Sequence, residues 1–197
     1  MNALNILFLD LLADRYDAEK RLILMMPAMA KTSPCKDFQK LIQRHFRQTI
    51  AHAKKLETVF KSFGVEVKGK TCEATIGLLK EYDEIAAQYK GSPAIIAALI
   101  SCAQKMEHYE IASYGCLAEW ASILGNKEAT SLLREILAEE KAADQALNYL
   151  ARSSANDEAL EGRKVKNLRA SGQIAKPLSR RIGLRPRTFN RTHPVLM

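Results

Sequence analysis

Residues 93–124 read PAIIAALISCAQKMEHYEIASYGCLAEWASIL. Gly91-Ser92-Pro93 supplies a cap followed by a proline, a helix start, and Gly125-Asn126 supplies a stop. Between them Ile96, Leu99, Ala103, Met106, Tyr114, Leu117 and Ala121 recur at the three-four spacing of one helix face. Glu107 and Glu110 fall on or beside that same face. The segment predicts a helix of about 40 Å at 1.5 Å per residue. Its apolar stripe turns acidic near the middle.

The same punctuation recurs outward from this helix. Thr32-Ser33-Pro34 ends one helical run and starts the next, with Ser33 expected as cap and Pro34 at the first helical position. Gly64 and Gly69 bracket a short loop. The spacing predicts helices over 2–31, 34–63, 71–89, 93–124 and 126–152, with Val65–Val67 too short for a strand. Two long helices, a short one in the connection, then two long helices form the layout of an all-α, ferritin-like four-helix bundle with an extra helix in its crossover.

Composition agrees. The chain has 197 residues, 47% hydrophobic and 26% charged, with nine glycines and six prolines. That is globular, and poor in the turn residues of a β-sandwich or a Rossmann sheet. The net charge of +8 is unevenly placed: ten of the 30 Lys/Arg lie in residues 162–197, which hold no acid, leaving 20 bases against 22 acids in the body. Residues 1–153 are expected to form the bundle and 154–197 a disordered basic tail. Cys35, Cys72, Cys102 and Cys116 form no CxxC pattern and are read as reduced thiols. The apolar start lacks a basic leader and is interrupted by Asp10 and Asp14, and no run is long enough to span a membrane, so a cytoplasmic protein is expected.

Each long helix carries polar residues on its stripe. The first reads Leu9, Leu12, Tyr16, Glu19, Ile23, Met26, and the second Phe38, Leu41, His45, Gln48/Thr49, His52, Leu56, Val59. The last reads Ala129, Leu133, Ile136, Glu140, Ala143, Leu147, Leu150, with Asp144 one turn beyond Glu140. No lysine or arginine is read onto these stripes. Isolated buried carboxylates are costly. A pair of divalent metals would satisfy them; so would protonation, with hydrogen bonds to Tyr16, Tyr109, Tyr114 or the histidines. A single such Glu is ordinarily a helix-edge residue that snorkels to solvent. Carboxylates on three helices are harder to treat that way.

The runs LFLDLLADRYDAEKRL (7–22), KGKTCEATIGLLKE (68–81), AALISCAQKMEHYEIASYG (97–115) and REILAEEKAADQAL (134–147) resemble the YciE/YciF-type ferritin-like proteins of bacteria over about residues 4–151. The resemblance implies a ferritin-like bundle, a stress-associated cytoplasmic role and a homodimer. It implies a metal ligand at Glu19, an ExxE pair at Glu107 and Glu110, a last-helix EExxxD pattern with Glu140 and Asp144, and an imidazole at His52. It also exposes a departure. Where the family reads His-Leu-Glu-Glu-Thr, this chain has His45-Phe46-Arg47-Gln48-Thr49. Both glutamates are lost there, one to Arg47 and one to Gln48, which removes a carboxylate from the site if either is a ligand; Gln48 offers a weaker oxygen, and Arg47 turned inward would act as a counter-ion in a metal-free core.

Two functions follow as expectations. One is a di-iron or iron–manganese centre held by Glu19, His52, Glu107, Glu110 and Glu140, with Asp144 beside them, for iron binding, ferroxidase or peroxide chemistry. The other is a metal-free dimeric interaction module, with Trp120, Tyr114 and Met25-Met26 as candidate interface residues. Residues 162–197 are a candidate contact for nucleic acid or another anionic surface. Cys72 is read as packing the crossover helix, and His108 as facing a neighbour or solvent.

Overall fold

The computed structural model describes residues 1–162, so the expected basic tail and its nucleic-acid contact lie outside the described residues from 163 onward. The elements are α1 (Ala3–Thr32), α2 (Lys36–Ser62), α3 (Glu73–Gln88), α4 (Ile95–Ile123), α5 (Lys127–Leu150), a π turn (Ala151–Ala155) and α6 (Asn156–Glu161). No strand occurs among the described residues. No helix among them is long and apolar enough to cross a membrane.

Local chemistry explains where the helices begin and end. Asn2 and Asn126 cap α1 and α5, each side-chain oxygen accepting an amide three residues on, at 2.9 and 3.0 Å. Gly64 at the end of α2 adopts φ +68°, a left-handed conformation. It lets the Val65 amide reach back to the Phe60 carbonyl at 3.2 Å and close the helix. The start of α2 differs from expectation by two residues. Ser33 precedes a proline and is held extended (φ −81°, ψ 132°). Its hydroxyl accepts the Cys35 amide at 3.1 Å instead of capping the helix. The C-terminal end also differs: the π turn carries Ala155 into the core beside Leu147 and Leu150, and the chain stays helical to Glu161.

Helices α1 and α2 pack as one pair and α4 and α5 as another; α2 against α5 and α1 against α4 close the four-helix ring. Helix α3 lies on α4 and α1. The crossover is clipped to α1: the Lys70 amide donates to the Ala13 carbonyl at 3.0 Å, and the Cys72 amide to Asp17 at 2.9 Å. This fixes the turn of α1 that carries Arg15 and Glu19.

The apolar core falls into two clusters. One gathers Leu22, Met26, Phe38, Ile42, Leu99 and Leu147 with their neighbours; the other gathers Phe8, Leu12, Leu56, Val59, Leu117 and Ile136 with theirs. Each fully buried Leu or Phe contributes about 1.5–3 kcal/mol. Between the clusters every long helix contributes buried polar residues: Arg15 and Glu19 from α1, His45, Thr49 and His52 from α2, Glu107 and Glu110 from α4, Glu140 from α5.

Candidate metal centre

Three-four spacing puts these side chains at one level of the bundle, flanked on each helix by core residues. They form two groups whose ligand atoms lie within 4.8 Å of one another: His45, Glu107, Glu110 and Glu140, and Glu19, His52 and Glu140. Glu140 is common to both. His45 Nε2 lies 3.3 Å from Glu107, 3.4 Å from Glu140 and 4.0 Å from Glu110. His52 Nε2 bonds Glu139 at 2.8 Å on the outer side, while its Nδ1 stands 2.9 Å from Glu140 Oε1. The Tyr114 hydroxyl donates to Glu19 Oε1 at 2.6 Å.

The donor chemistry suits a divalent ion of the iron or manganese kind: hard carboxylate oxygens with two imidazoles. The hydrogen bonding suits it too. Both oxygens of Glu110 and of Glu140, one each of Glu19 and Glu107, both nitrogens of His45 and Nδ1 of His52 are buried without a hydrogen-bond partner. Buried polar groups are ordinarily paired. The Nδ1 of His52, pinned by Glu139 on its far nitrogen, is oriented toward the cluster as ligand imidazoles are.

The cluster holds protons when no metal balances it. Burial pushes the Glu19 carboxyl up to about 8, reinforced by the charge of Glu110. Burial and the same neighbour raise Glu107 and Glu140 well above the usual carboxylate range. Glu110 goes the other way: burial opposes its charge, but His45 and Arg15 outweigh burial and lower it. Burial alone would lower His45, yet the surrounding glutamates Glu110 and Glu140 raise it to about 9.

Several expectations need correction. Arg15 sits on the buried stripe, 1% exposed, with Nε 3.5 Å from Glu19 and Nη2 3.6 Å from Glu110. The inward face of α1 runs Phe8, Leu12, Arg15, Glu19, Leu22, Met26; Leu9, Tyr16 and Ile23 are half-buried beside it. Arg47 is exposed and Gln48 half-buried, so neither belongs to the cluster; Thr49 occupies the inward position. Asp144 lies outside both groups, where it accepts from Gln104 at 3.0 Å and Asn148 at 3.1 Å and faces the exposed His108 at 3.4 Å. Tyr114 and Met26 are core residues, and Trp120 is half-buried.

The outlying tyrosines act at a distance. Tyr16 donates to Glu57 at 3.0 Å, away from the cluster. Tyr109 donates to Asp14 at 2.9 Å, meets Cys72 Sγ at 3.2 Å and lays its ring 5.0 Å from the Arg15 guanidinium. Cys72 is fully buried and caps α3 through Thr75. The sequence signal for Arg15 was its place four residues before Glu19, midway between Phe8 and Leu22.

Residues 3–160 match the family described as a domain of unknown function, DUF892. Protein YciF of Escherichia coli K12 is 36% identical over 160 residues, which cover 81% of this chain and 96% of that protein. The crystal structure of that stress protein aligns with a TM-score of 0.74 at 34% identity, covering 83% of this chain and 100% of it. YcfI from Rhodopseudomonas palustris aligns with a TM-score of 0.71 at 36% identity, over 75% of this chain and 94% of that one. A Xanthomonas campestris protein at 18% identity and TM-score 0.63 shares the fold. With the family matched over nearly all of the described residues, the chain belongs to DUF892, the family of YciF-like ferritin-type helical bundles.

Proposed function

We propose that the chain is a metal-binding member of this family, holding iron or manganese between α1, α2, α4 and α5. The observation that carries this is the convergence of unpartnered, fully buried ligand atoms: all four oxygens of Glu110 and Glu140, with the His45 and His52 nitrogens that face them. Metal so held would supply Lewis-acid or redox chemistry at positions the protein leaves open. The chain's own groups set the site. Tyr114 orients Glu19, and Glu139 fixes the His52 ring. The Escherichia coli relative is called a stress protein; a stress-associated role for this chain is part of the same proposal.

Anaerobic Fe(II) loading followed by desalting and elemental analysis tests it. The wild type is expected to retain iron, and a Glu107→Gln/Glu140→Gln variant with unchanged helical circular dichroism to lose it. Iron at background in both sinks the reading.

One observation favours a second reading, a metal-free structural module that dimerises. Arg15 already places a cation among the glutamates. YcfI is itself described as a candidate structural protein. On this reading the wild type stays metal-free after loading and sediments as a dimer; a metal-loaded wild type argues against it.

A further inference from the structure

Arg15 stands inside the donor cluster. None of its three side-chain nitrogens has an aligned hydrogen-bond partner. A guanidinium without directed bonds acts there through its charge. It spans both donor groups, because Glu19 belongs to one and Glu110 to the other.

The two groups are unequal. The group of Glu19, His52 and Glu140 shares Glu140 with its neighbour, and its own carboxylate is engaged by Tyr114 and Arg15. The other group has four buried donors. It also adjoins a crevice of about 10 Å³ whose lining includes His45, Glu107, Ala143 and Leu147, about the volume one water probe needs.

We infer that Arg15 takes the place of a second metal ion, so that the cluster holds a single divalent cation on His45, Glu107, Glu110 and Glu140. This rests on the metal binding proposed above. A second ion at Glu19 and His52 would lie against a guanidinium in a desolvated core, where like charges repel strongly. The single ion and Arg15 together balance all but one of the four carboxylate charges, and one proton balances the last.

The full-length chain is stripped with chelator, loaded with Mn(II), desalted, and read by elemental analysis and electron paramagnetic resonance. The wild type is expected to carry about one ion per chain, and Arg15→Met about two, the pair-binding behaviour of other bundles. The wild-type spectrum should show the hyperfine pattern of an isolated ion, and the variant that of a coupled pair. Glu107→Gln should lose the wild-type ion and Glu19→Gln keep it. About two ions in the wild type, or about one in both it and Arg15→Met, overturns the role given to Arg15 and leaves metal binding standing. Loss in Glu19→Gln with retention in Glu107→Gln overturns the choice of group. No ion in the wild type but binding by Arg15→Met overturns the single-ion account, because the guanidinium then excludes metal altogether. No ion in any form overturns metal binding and this inference with it. If Arg15→Met does not fold, the wild-type count and the two glutamine variants decide.

Discussion

The two walls of the polar layer hold charge differently. Toward α1 and α4, Glu19 and Glu110 face Arg15, whose guanidinium lies 5.0 and 5.7 Å from the Tyr109 and Tyr114 rings. Toward α2 and α5, Glu140 faces His45 and His52, and His52 leads on to Glu139 and Lys55 near the surface. Arginine keeps its charge at any pH a protein survives, whereas imidazole changes charge within it. One wall is therefore fixed and the other adjustable. Glu110, which touches both Arg15 and His45, is driven to the charged form; Glu19, with Arg15 beside it but carboxylates around it, is driven to the neutral one. Equal burial thus yields opposite protonation, decided by which wall's cations are near.

Breaking the fixed wall should have the largest effect. In the metal-free protein, Arg15→Met is expected to cost about 3–5 kcal/mol in urea unfolding, because it strands buried Glu110. A cost under about 1 kcal/mol would mean the guanidinium does not hold that carboxylate.

The adjustable wall is tested by pH. Glu19 and His45 have folded values raised to about 8 and about 9. Their protons stabilise the fold fully below the ordinary carboxylate and imidazole values, and that contribution is lost as pH rises through about 8 and about 9. Glu110, lowered, contributes only above the ordinary carboxylate range and is lost on acidification. Metal-free stability is therefore expected to fall by about 2 kcal/mol between about pH 6 and about pH 8. Metal affinity should rise over the same range as protons leave the ligands. Urea midpoints in chelator that climb with pH would contradict the assignment.

Smaller changes sharpen the contrast. Tyr114→Phe keeps the ring but removes the donor to Glu19, an expected loss of about 1–2 kcal/mol by thermal unfolding. Lys55→Ala, at the outer end of the adjustable wall, should cost less than about 1 kcal/mol. Arg47→Ala, on an exposed face, should change stability by no more than about 0.5 kcal/mol.

The bundle was legible because glycine, proline and cap residues punctuate the chain where helices turn. The acidic belt was legible because Glu107, Glu110 and Glu140 interrupt otherwise apolar stripes. Arg15 was not, for a geometric reason. On α1 the series through Leu9, Tyr16 and Ile23 and the series through Phe8, Arg15 and Leu22 share Leu12, Glu19 and Met26. Hydrophobicity favours the first, and packing buries the second. Arg47 shows the converse: a basic residue beside a histidine stripe reads as a counter-ion, but the helix turns it to solvent and puts Thr49 inward. Asp144, one turn from Glu140, is likewise rotated out to Gln104 and Asn148.

The division of the apolar core bears on how the molecule opens. Each half-core draws on α1, α2 and α4 as well as α5, so neither belongs to a single hairpin. Local openings of one end need not carry the other with them, since the layer between is joined by charge, not by interlocking side chains. Amide hydrogen exchange should then resolve two protected blocks along each long helix, one around Leu12, Leu56, Leu117 and Ile136 and one around Leu22, Ile42, Leu99 and Leu147. A cation that ties α2, α4 and α5 together at their midpoints would merge the two into one cooperative unit.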